Sequence, residues 1–209
     1  MELVDRWRRL WAEASCRGDA EAAFADLIAR YSEPHRAYHA LGHLEQCFAA
    51  LDTVEAVSTT YRSEIEVAFA LWFHDAIYDT HAGDNEEQSA RLAERALAAA
   101  GLAPATVARV AACVRVTAHA AEPAAPDEAL MLDVDLCILG QPARAFDAYE
   151  QQVRREYEWV PDVQFRSTRA QILRRFLDRP YIYNTDHFRR LYEAPARENL
   201  ARSIAALGA

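Results

Sequence analysis

Leu71-Trp72-Phe73-His74-Asp75-Ala76-Ile77-Tyr78-Asp79 decides how the chain is read. Residues 64–73 are mostly apolar and predict a buried helix. That run leads straight into adjacent His and Asp, and a second Asp follows four residues later. Burying an imidazole and a carboxylate at a helix end is costly unless something pairs with them. A divalent cation pairs with both, since neutral imidazole and carboxylate are ordinary ligands for first-row metals. A helix-terminal His-Asp pair bonded to nearby backbone is the competing reading, and on the dipeptide alone it is the commoner one.

Upstream, His35-Arg36-Ala37-Tyr38-His39-Ala40-Leu41-Gly42-His43 holds three of the seven histidines at intervals of four. On a helix they would share one face. Pro34 and Gly42 fit equally well a loop that runs into a helix at about 41–51. Three histidines with Arg36 and Tyr38 between them suggest the wall of a site. Downstream, Asn85-Glu86-Glu87-Gln88-Ser89 looks like a helix start with acids in its first turn. That helix runs to residue 100, where Gly101 fits a C-terminal cap. Pro104 opens another helix (Val107, Val110, Val114, Val116) that ends near His119, and 120–128 reads as a loop. In Leu130–Gly140, Asp133 and Asp135 interrupt an apolar run. Two residues apart on a helix they point about 200° apart, so at least one faces inward and needs a partner.

The remaining segments are helical in period. Leu3, Trp7, Leu10 and Trp11 mark a helix over 2–15, and Phe24, Leu27, Ile28 and Tyr31 mark a second. The central helix spans about 62–74. Further helices follow Pro142, Pro161 and residue 186, reaching about 158, 177 and 207. Arg166, Arg169, Arg174 and Arg175 read as a solvated face. No strand alternation is evident, so an all-α helical bundle is expected, as a single domain over 1–209 with a core at 31–140 and a C-terminal elaboration at 142–207. The net charge of −9 argues against a nucleic-acid polymer as partner, but not against a small phosphorylated ligand. Cys16, Cys47, Cys113 and Cys137 lie far apart and read as small core residues in a reducing compartment. No signal-peptide pattern and no apolar run of transmembrane length is evident, so a cytoplasmic protein without a membrane partner is expected.

The segments "YHALGHLEQC", "FALWFHDAIYD", "DNEEQSA", "MLDVDLCILG", "VRREY" and "ARENL" follow one another over most of 31–200. In this order the chain resembles the HD superfamily of metal-dependent phosphohydrolases, whose pattern is His … His-Asp … Asp. It is most similar to a bacterial group described only as predicted metal-dependent HD phosphohydrolases. The resemblance implies an HD-domain-like helical bundle with a bound divalent cation. By the same resemblance the ligands are His43 (His39 is the runner-up), His74, Asp75 and Asp135, since Val134-Asp135-Leu136 fits the pattern better than Leu132-Asp133-Val134.

Two imidazoles and two carboxylates suit one Mn²⁺, Fe²⁺, Co²⁺ or Ni²⁺ with positions open for water and substrate, better than a closed zinc site. Dinuclear members resemble one another in two further histidines before the last Asp; here only His81 and His119 lie in that interval, which favours one ion. Asp79 is the first candidate for general base or water-orienting carboxylate and Glu86 the second, a capping or salt-bridging role being the alternative for each. Arg36, His39 and His119 are candidates for phosphate binding, with a purely structural role open for His119. The expected activity is hydrolysis of a phosphomonoester or phosphoanhydride of a small metabolite, first of all a nucleotide. A di-iron oxygenase on the same fold and a non-catalytic nucleotide-sensing domain are the alternatives. The oligomeric state stays open, a homodimer being one option.

Overall fold

A helix without a polar face has to be covered on every side, and the apolar run 64–73 shows how this chain does it. The computed structural model describes residues 2–54 and 64–208. Among them the secondary structure is all α, with ten α-helices, one 3₁₀ helix and no strand. The chain falls into two compact units, 1–132 and 133–209.

The first unit holds α1 (Leu3–Glu13), α2 (Ala20–Tyr31), α3 (Leu41–Asp52), α4 (Glu64–Phe73), α5 (Asn85–Ala99) and α6 (Pro104–Val116). The predicted start of the central helix, 62–63, lies outside the described residues. Helix α4 is packed by α1, α3, α5 and α6. Val67, Phe69, Ala70, Leu71 and Trp72 are fully buried. The Trp72 ring meets Trp7 at 5.2 Å, Phe48 at 5.3 Å and Phe24 at 5.9 Å, centroid to centroid. Burying a large apolar side chain contributes about 1.5–3 kcal/mol, so α4 and its aromatic ring of neighbours are the main stabilising block of this unit. Glu66, buried on the same helix, accepts from Arg109 Nε and Nη2 at 2.8 and 2.6 Å. Gly101 ends α5 as expected: its φ is +85°, and the Leu102 N–H donates to Leu97 O at 3.1 Å.

Helix α7 (Pro126–Asp135) begins two residues before the predicted loop ends. Its start signals are local. Proline occupies the first position, Asp127 and Glu128 fill the first turn, and Glu128 Oε2 accepts the Ala124 N–H at 2.8 Å.

The second unit holds the 3₁₀ helix Leu136–Gly140, α8 (Ala143–Glu156), α9 (Asp162–Leu177) and α10 (Asp186–Ala206). The 3₁₀ segment is buried throughout and packs on α8 and α10. Asn199 Nδ2 donates to Leu139 O and Gln141 O at 2.9 and 2.8 Å, and Tyr183 Oη donates to Leu136 O at 3.1 Å. A Cβ at Gly140 would lie 2.5 Å from Tyr192 Cβ, so this close approach of 3₁₀ helix to α10 requires glycine. Arg169 departs from the solvated-face expectation. It is buried, its guanidinium pairs with Glu150 on α8, and Nη2 donates to Tyr149 Oη at 2.6 Å. Among the described residues no helix is long and apolar enough to cross a membrane.

Candidate metal centre

Where α4 stops, its last carbonyls need donors. His74 N–H donates to Ala70 O at 2.9 Å and His74 Nδ1 to Leu71 O at 2.9 Å. Tyr31 Oη, on α2, accepts the Asp75 N–H at 3.3 Å and lies 3.5 Å from Leu71 O. Arg36 holds the turn that follows. Its fully buried side chain donates through Nη1 to Asp75 O at 2.6 Å and His39 O at 2.9 Å, through Nη2 to Ala76 O at 3.3 Å, and through Nε to Glu33 at 3.0 Å. A cation at a helix C-terminus also complements the helix dipole. Arg36, expected on the phosphate side, thus ties the 35–40 loop to the turn that carries the His-Asp pair.

The carbonyl of Leu71 can only accept, so His74 Nδ1 carries the ring proton and neutral His74 presents a lone pair at Nε2. That nitrogen lies 3.0 Å from His43 Nε2 and 3.0 Å from Asp75 Oδ2, while His43 Nε2 is 3.5 Å from the same oxygen. Asp75 Oδ2 is buried and accepts no hydrogen bond. Three electron-rich atoms therefore converge, and the two ring nitrogens share at most one proton between them. The pattern calls for positive charge at the point of convergence.

A single cation fits the spacing. Bonds of about 2.0–2.1 Å to nitrogen or oxygen and about 2.3 Å to sulfur put neighbouring donors about 3.0–3.6 Å apart. The observed separations of 3.0 and 3.5 Å match those edges. Donor atoms of His43, Cys47 and His74, one from each, lie within 4.8 Å of one another, and this group could hold a metal ion. Asp135 is the last residue of α7 and half-buried. Asp133 has a different task. Fully buried, it accepts from Asn184 N and Nδ2 at 2.6 and 3.0 Å and from Thr185 N at 2.7 Å. Thr185 is the N-cap of α10, so this carboxylate anchors the start of that helix.

The other expected site residues are placed as follows. His39 is half-buried, its ring stacked on Tyr78 at 4.3 Å and edge-on to Tyr38 at 4.9 Å. His119 follows α6 with a left-handed φ of 52°. His81 is exposed. Asp79 lies in a loop and not in a continuation of α4, which ends at Phe73, so helical stacking does not bring it over Asp75. Its side chain is exposed, with Oδ1 accepting the His81 N–H at 2.8 Å. Glu86 sits half-buried in the first turn of α5.

Asn85 and Ser89 explain the Asn-Glu-Glu-Gln-Ser segment. Asn85 accepts the Asp79 N–H at 3.0 Å and donates to Asp79 O at 2.9 Å, and Ser89 Oγ does the same for Ile77 at 3.0 and 3.3 Å. Both are one turn apart on α5 and together clamp the backbone that leaves the His-Asp pair. Cys47 is buried as expected of a core residue, and its Sγ is also among the donor atoms that could hold a metal ion. The signal was its position four residues after His43 on the same helix.

Comparison with family models, with curated proteins and with solved structures returns no match. The functional reading therefore rests on these residues.

Proposed function

We propose that the protein is a metal-dependent phosphohydrolase with an HD-type centre, acting on a small phosphorylated metabolite, with nucleotides the first class to test. The observation that carries this reading is the convergence of His43 Nε2, His74 Nε2 and Asp75 Oδ2 with no donor for the carboxylate oxygen. Asp135 is proposed as the fourth donor, Asp133 being engaged at the start of α10. One Mn²⁺, Fe²⁺, Co²⁺ or Ni²⁺ is the expected occupant. When bound, the ion lowers the pKa of a coordinated water and polarises a phosphoryl oxygen. The chain's own contribution is to hold the donors in place: Leu71 O fixes the His74 tautomer, and Arg36 and Tyr31 fix the Asp75 backbone. His39 and His119 are the residues proposed for the phosphate.

The test is to reconstitute metal-free protein with Mn²⁺ and assay phosphate release from a panel of phosphomonoesters and nucleoside polyphosphates. Metal-dependent release from at least one class is expected; metal binding without release from any of them would sink the activity.

Asp79 is proposed as the carboxylate that orients or deprotonates the attacking water. Its backbone is held on both sides by Asn85, which presents the exposed carboxylate from a fixed loop. Asp79→Asn keeps the shape and is expected to lower turnover about a hundredfold, the scale of general acid–base work, with metal content near normal. Unchanged turnover would pass the role to Glu86, and loss of metal would put Asp79 among the ligands.

A further inference from the structure

We infer that Cys47 is itself a metal ligand, so that the ion held by His43 and His74 carries one thiolate sulfur. The inference rests on the metal reading above and departs from a purely nitrogen-and-oxygen centre. Cys47 is fully buried and sits one helical turn beyond His43 on α3, so both side chains leave the same face. Its Sγ is 3.7 Å from His43 Nε2 and 3.7 Å from Nδ1 of the same ring. Nitrogen at about 2.1 Å and sulfur at about 2.3 Å from one tetrahedral ion are about 3.6 Å apart, so the observed separation is that of two donors on a shared centre. Sγ also belongs to the group whose donor atoms lie within 4.8 Å of one another. The buried Asp75 Oδ2, 3.0 Å from His74 Nε2 and accepting no hydrogen bond, is a second observation that calls for a cation beside the two imidazoles.

A core cysteine would only need apolar neighbours. This one faces two imidazoles. A sulfur donor changes which ion the site prefers, because thiolate favours borderline and softer ions such as Zn²⁺, Co²⁺ and Fe²⁺ over Mg²⁺ and Mn²⁺.

Metal-free full-length protein, loaded anaerobically with Co²⁺, should show a near-ultraviolet sulfur-to-cobalt charge-transfer band. Cys47→Ser should keep its cobalt and lose the band. It should also lose more affinity for Zn²⁺ than for Mn²⁺, by at least about the tenfold that losing an outer-shell partner already costs. A merely packing role would weaken both ions equally. X-ray absorption of the zinc-loaded wild type needs no variant and should contain one sulfur scatterer at about 2.3 Å. Cobalt bound without the band, a band that survives in Cys47→Ser, or a zinc shell of nitrogen and oxygen alone would each overturn the inference while leaving the metal reading intact. A wild-type chain that takes up no cobalt and no zinc would overturn both.

Discussion

His74→Ala is expected to cut metal affinity by more than about a hundredfold, beyond the range for losing an outer-shell partner. The ring contributes the lone pair that faces both His43 and Asp75, and no neighbouring side chain can take its position at the end of α4. Asp75→Asn should act in the same direction while leaving the turn intact, because Tyr31 and Arg36 hold residue 75 by its backbone. Helix content should be retained in both variants, since the block around Trp72 does not involve either side chain. Metal content by elemental analysis and far-ultraviolet circular dichroism measure the two halves of this expectation. Wild-type occupancy in His74→Ala would remove the centre from the position argued here.

The two acids of the Leu-Asp-Val-Asp-Leu run should separate cleanly. Asp133→Ala leaves two backbone N–H groups and a carboxamide without their acceptor at the start of α10, and is expected to cost about 2–4 kcal/mol of stability. Metal content of the folded fraction should not change. Asp135→Ala should do the reverse, losing metal with a smaller effect on unfolding. Denaturant titration beside metal analysis distinguishes them. The opposite pattern would exchange the roles of the two residues.

The all-α class and the helix periods were legible because they depend on side-chain type at regular spacing, whereas the pairing of His43 with His74-Asp75 was an expectation drawn from the HD resemblance alone. The inward acid in the 130–140 run was legible too, but not which acid does what. Asp133 is matched by backbone N–H groups at 184 and 185, and main-chain donors leave no trace in residue identity. The same holds for Arg36, Asn85 and Ser89, whose partners are carbonyls and N–H groups of the turn after α4. Cys47 is core as expected, and the ligand role proposed for it turns on the histidine one turn earlier and not on the spacing between cysteines. Arg169 looked solvated because Glu150, its partner, lies on another helix.

Helix α4 is covered from both directions in sequence, and this bears on how the chain is made. Synthesis completes α4 at Phe73, before α5 and α6, two of the four helices that pack on it, have been made. These two end at Ala99 and Val116. Until then a stretch as apolar as Ala68-Phe69-Ala70-Leu71-Trp72-Phe73 has an unsheltered side, and exposed surface of that kind is what drives misassembly of nascent chains. A chain interrupted anywhere between 73 and 116 therefore carries its most adhesive segment with part of the cover missing.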